Sequence, residues 1–108
     1  MTIRLAMILH CVFCNFRTDV SEDQRNQVLT ALAQFSAGLN GVLGFDHGPN
    51  LDFEGKSASY DAGFVIRFAD HEALQTYADH PEHQALGRQL CDLCNGGENG
   101  IKVFDLKL

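Results

Sequence analysis

Two sets of residues in this sequence hold reactive side chains at a fixed spacing. Cys11-Val-Phe-Cys14 and Cys91-Asp-Leu-Cys94 are two CxxC pairs, and Tyr77-Ala-Asp-His80-Pro81-Glu-His83 places a phenol and two imidazoles close together. Four thiolates can enclose a structural zinc, and an imidazole that titrates near neutrality can accept a proton, donate one, or ligate a metal. Chain geometry argues against the zinc site. If Leu5 to Phe16 is a strand, Cys11 and Cys14 are three residues apart and point to opposite faces, so they cannot share one ion. Cys91 and Cys94 fit one helix face but supply only half a structural site, and buried, inert thiols are expected instead. His80-x-x-His83 could be half of a metal site with Asp79, Glu82 or His10, but no other ligands stand at a fixed spacing. No metal is expected.

The elements that must position these groups are legible in order. Leu5 to Phe16 is rich in aliphatic, aromatic and β-branched residues, with Ile8, His10, Val12, Cys14 and Phe16 on one face and Leu9, Cys11, Phe13 and Asn15 on the other. Ser21-Glu22-Asp23-Gln24 reads as a capping box, so a helix begins there. Val28, Ala31, Leu32, Phe35 and Leu39 continue it at helical spacing, and Gly38 with Asn40-Gly41 stops it. A short strand over Gly41 to His47 ends at Gly48-Pro49-Asn50, and Leu51 to Ser59 forms a loop. Tyr60 to Phe68 alternates as a third strand.

Asp70 caps the next helix, which must end or bend at His80 because proline disfavours a helical residue before it. Pro81 suits the first turn of a new helix whose stripe carries His83, Leu86, Leu90 and Leu93. His83, in line with Leu86 and Leu90, is expected to point inward, whereas His47 and His71 look like surface residues. Gly96-Gly97 and Gly100 close that helix, and Ile101 to Leu108 forms the last strand. Asp105 is expected to pair with Arg67 or Lys102 across neighbouring strands.

The resulting β-α-β-β-α-α-β order is the split βαβ of an α+β, ferredoxin-like fold: a four-stranded antiparallel sheet with helices on one face. The strands are apolar on both faces, so helices cover only half of that surface. A second sheet from an identical chain is the economical cover, which predicts a homodimer closed into a dimeric α+β barrel.

Composition narrows the function classes. The 108 residues suit one domain, 1–108, and neither repeat nor linker divides them. Fourteen acidic against eight basic side chains give a net charge of −6 without any Lys/Arg cluster, which argues against a nucleic-acid partner. The longest apolar run, Leu5 to Phe16, contains His10 and Asn15 and falls short of the ~20 residues of a membrane span. It also lacks the features of a secretory signal, so a cytoplasmic location is expected. No GxGxxG or GxxxxGK[ST] motif cradles a phosphate, and no cofactor is expected.

In this order and spacing the motifs resemble the stress-responsive dimeric α/β-barrel domain family, Dabb, over nearly the whole chain. The likeness rests on the first-strand segment His10-Cys-Val-Phe-Cys-Asn-Phe16, on Gly48-Pro49-Asn50 and on Tyr60 to Phe68. Tyr77-Ala-Asp-His80-Pro81-Glu-His83 and the closing Val103-Phe104-Asp105 complete it. The resemblance implies a barrel of two four-stranded sheets, with a pocket in each subunit between helices and sheet. One plant branch includes a cofactor-independent polyketide cyclase, and its first-strand histidine, its tyrosine and its second His-Pro-x-His histidine match His10, Tyr77 and His83. A further pocket tyrosine of that cyclase corresponds to about Leu32. On this likeness His10, Tyr77 and His83 are the candidate catalytic residues. His80, Phe64 and Leu86 are the candidate ligand-binding residues for a small apolar or polyketide-like molecule.

Such a trio could move a proton. A neutral histidine takes one from the acidic carbon between two carbonyls, while a tyrosine or second histidine donates to the developing enolate. Three readings stand side by side: a stress-associated domain protein whose histidines only satisfy local hydrogen bonds, a ligand-binding protein, and a cyclase-, lyase- or isomerase-like enzyme. The volume of the space between helix stripe and sheet separates them.

Overall fold

The computed structural model describes residues 7–108, so Leu5 and Ala6 of the expected first strand lie outside the described residues. The elements are β1 (Ile8–Cys14), α1 (Glu22–Ala37), β2 (Val42–Pro49), β3 (Ala62–Phe68), α2 (His71–Asp79), α3 (Pro81–Asp92) and β4 (Ile101–Lys107). A 3-10 turn over Gly97–Gly100 leads into β4.

Local signals start and stop the helices. The Ser21 hydroxyl accepts from the Gln24 amide at 3.1 Å, and the Gln24 side chain accepts from the Ser21 amide at 2.8 Å, closing the capping box of α1. The Asp70 carboxylate accepts from the Ala73 amide at 2.9 Å at the start of α2. Gly41, at φ +84°, makes the turn from α1 into β2; a Cβ there would sit 2.5 Å from that of Ala73, so only glycine fits.

The sheet is antiparallel in the order β2-β3-β1-β4, the ferredoxin-like arrangement, with β1 between β3 and β4. β2 runs two residues further than the sequence predicts, because Gly48 pairs with Gly63 and Pro49 with Ala62 before the chain leaves the sheet. Proline is tolerated there because β2 is an edge strand. β3 starts at Ala62 rather than Tyr60: the Asp61 backbone still bonds to the Cys14 carbonyl and the Asn50 amide, but the Tyr60 carbonyl is turned to the Asn50 side chain at 2.8 Å and its amide to the Ser57 carbonyl at 3.0 Å.

One sheet face packs on the helices. Ile8, Val12 and Cys14 of β1 join Phe64, Ile66 and Phe68 of β3 against Leu32, Tyr77, Leu86 and Leu90 of the helices. Among the described residues no helix covers the other face, and only the Leu51, Ser57 and Tyr60 loop borders it. There Phe13 packs on Phe104 with ring centroids 6.2 Å apart, while Phe104 and Leu106 are 55% and 49% exposed.

Candidate functional site

The site grows out of the break between α2 and α3. Pro81 has no N–H and forces His80 into extended backbone at φ −68°, ψ 131°. In an uninterrupted helix the Glu82 amide would bond to the Ala78 carbonyl. Here the Glu82 amide donates to His80 Nδ1 at 3.1 Å, and the freed Ala78 carbonyl is taken by His83 Nδ1 at 3.1 Å. A carbonyl only accepts, so His83 carries its proton on Nδ1, and Nε2 keeps a lone pair. Burial holds the His83 pKa below its ordinary value; the Ala78 bond opposes this, and the imidazoles of His10 and His80 add to it. His83 is therefore a neutral imidazole with a basic Nε2 at neutral pH.

Tyr77, on the last turn of α2, is 1% exposed. Its ring centroid lies 4.2 Å from that of His83 and 5.7 Å from that of His10, so the phenol sits between the two imidazoles. Its hydroxyl is buried without a hydrogen-bond partner. The Ser36 hydroxyl, which donates to the Leu32 carbonyl at 2.6 Å, partly offsets the effect of burial on this phenol. Burial pushes the Tyr77 phenol well above its ordinary pKa, so it is a donor at any physiological pH.

His10 completes the group from β1. Its Nδ1 lies 2.5 Å from Asp105 Oδ1 on β4. This corrects the expected pairing of Asp105 with Arg67 or Lys102. β1 lies between β3 and β4, and the register sets Asp105 directly opposite His10, whereas Arg67 pairs with Leu9 and Lys102 with Phe13 on the alternate face.

His10, Tyr77 and His83 line one cavity of about 390 Å³ between α3 and the β1–β4 side of the sheet. Phe64 lines it too, with Val12, Leu32 and Leu90 as further apolar wall. His80 and Leu86 are not in the lining. His80 caps α3 and sets its ring against Phe35 at 4.8 Å, and Leu86 is buried in the core. Gln84, Gly87 and Arg88 line the same cavity and were not singled out from the sequence; their α3 spacing beside His83 was the available signal, and Cys91, read there as an inert thiol, lines it too. His47 and His71 are exposed, as expected.

The four cysteines are free. Cys94 lies beside Cys14 where Phe16 bridges to it, and that neighbouring thiol first, with burial second, pushes the Cys14 thiol up. Among the described residues no group of three or more His, Cys, Asp or Glu side chains is placed to hold a metal. No described helix is long and apolar enough to cross a membrane.

Fold and site together define a ferredoxin-like α+β domain with a His/Tyr-lined cavity between its helices and sheet. The chain belongs to the stress responsive A/B barrel domain family, Dabb, whose model matches residues 8–108. It is similar to a dimeric ferredoxin-like protein of unknown function from Jannaschia sp. CCS1, at 38% identity and a TM-score of 0.89 over 94% of this chain and 99% of that one. Two more distant structures share the fold. One is a dimeric ferredoxin-like protein of unknown function from Thermobifida fusca YX, at 21% identity and TM-score 0.78 over 100% of this chain and 96% of that one. The other is the hydroxynitrile lyase of Passiflora edulis, at 12% identity and TM-score 0.81 over 94% of each chain. Comparison with curated proteins gives no match.

Proposed function

We propose that this chain binds a small carbonyl compound, of β-dicarbonyl or polyketide-like type, in the cavity between α3 and the sheet and moves a proton on it without a bound cofactor. The convergence of His10, Tyr77 and His83 on one otherwise largely apolar cavity carries this reading. Its volume of about 390 Å³ falls in the range of small-molecule sites. His83 Nε2 removes the proton from the carbon between two carbonyls, and the Tyr77 ring is the wall that holds the two imidazoles apart. His10, oriented by Asp105, is the second acid/base group. The likeness to a hydroxynitrile lyase supports only that this fold hosts enzymes.

The working form is a homodimer, a single domain per chain, in which the open sheet face packs on its copy. The exposed Phe104 and Leu106 beside Phe13 support this, as does the dimeric state of the relatives from Jannaschia and Thermobifida. Four free thiols fit a reducing compartment such as the cytoplasm.

Deuterium exchange tests the chemistry. The parent is expected to speed exchange at the central carbon of benzoylacetone in D2O above the buffer rate, and His83→Gln, which retains a donor for Ala78, to lower that rate by roughly 10²-fold or more. Exchange no faster than buffer across a panel of β-dicarbonyl compounds would refute the proton-transfer reading.

A further inference from the structure

Arg88, Gln84 and Gly87 give the cavity a second pole that the His/Tyr trio does not explain. Gln84 and Arg88 stand one turn apart on α3, and Arg88 bears the one permanent charge in the lining. Among the described residues the ion pairs are His10–Asp105 and Arg17–Asp19, so Arg88 has no carboxylate partner. The chain as a whole carries −6, so a free guanidinium at this mouth is a local positive spot on an acidic surface.

Gly87 adds an independent observation. A glycine inside a helix costs about 1 kcal/mol relative to alanine, and it is usually explained by close packing or positive φ. Neither applies here: a Cβ on Gly87 would meet nothing within 4 Å, and its φ is not in the left-handed range. What the missing side chain leaves is open floor in the cavity between His83 and Arg88.

We infer that the cavity takes a keto acid lengthwise: its carbonyl end among His10, Tyr77 and His83, its apolar middle over Gly87, and its carboxylate on the Arg88 guanidinium beside Gln84. This rests on the reading of the cavity as a ligand site and names the substrate class for it. A planar guanidinium binds a carboxylate through two parallel hydrogen bonds, a geometry that a neutral ester cannot reproduce.

The test is a matched pair of stable probes, 4-benzoylbutyrate and its methyl ester, titrated into the dimer by calorimetry. The parent is expected to bind the acid about five- to tenfold more tightly than the ester at low salt. Arg88→Met is expected to remove that preference and leave ester affinity unchanged. Lys102→Met, a charge loss on the other sheet face, is expected to leave the preference intact, and Gly87→Leu to weaken both probes at least tenfold while the fold is kept. Equal binding of acid and ester by the parent, or a preference that survives Arg88→Met, overturns the carboxylate pole and leaves the ligand-site reading standing. Failure of both probes to bind overturns both.

Discussion

Asp105 and His10 sit directly opposite each other on adjacent antiparallel strands, with the carboxylate 2.5 Å from Nδ1 of the imidazole. Asp105 is half-exposed while His10 is mostly buried, so the pair joins a solvated anion to a ring that faces the cavity. A carboxylate on Nδ1 fixes the ring orientation and leaves Nε2 as the group that can meet a ligand.

Asp105→Asn keeps a hydrogen-bond acceptor at that position but removes the charge. Exchange at the central carbon of benzoylacetone is expected to slow by about tenfold, with thermal stability changed by less than about 1 kcal/mol, since the carboxylate is half-exposed and the amide that replaces it still accepts from Nδ1. Parallel melting curves and exchange rates check this. A large loss of stability with unchanged exchange would make the pair a purely structural clamp.

His83 makes stability depend on pH. Its pKa in the folded protein lies below the ordinary value of 6.5, chiefly because of burial. Below pH 6.5 the unfolded chain therefore binds more protons than the folded one, and the stability owed to a neutral His83 is present above pH 6.5 and lost as the pH falls toward the folded pKa. Urea titrations at pH 5 and pH 7.5 are expected to show a smaller loss on acidification for His83→Gln than for the parent. An identical loss in both proteins would assign the acid sensitivity elsewhere.

The open sheet face yields a third expectation. A copy packed there would bury an interface on the order of 2,000 Å² or more, with Phe13, Phe104 and Leu106 at its centre. Phe104→Glu would place a charge in that apolar layer, so sedimentation at micromolar concentration is expected to give a dimer for the parent and a monomer for the variant. A monomeric parent would count against the barrel.

Most of the architecture was legible because its signals are local. The Ser21 capping box, the Asp70 cap and the Pro81 break each act within a few residues, and each appears in the structure at the expected position. Strand alternation likewise separated His10 and Val12 from Leu9 and Phe13, with the first pair on the helix-covered face. His80 misled for a related reason. Its spacing to His83 suggested a shared site, but the amide exposed by the proline break claims its ring.

What tertiary structure alone decided is the company each reactive group keeps. His10 and Asp105 are 95 residues apart, and only the β1–β4 register makes them partners, since no short-range pattern distinguishes Asp105 from a surface charge. The cavity wall at Gln84, Gly87 and Arg88 was hidden for the same reason: their spacing puts them on one face of α3, but that this face meets an open cavity shared with His10 and Val103 depends on the packing of distant strands. Sequence determines the elements through hydrogen bonds and side-chain periods that close within one or two turns. The site is decided by how those elements pack, because burial, register and empty volume are properties of surfaces brought together from distant parts of the chain.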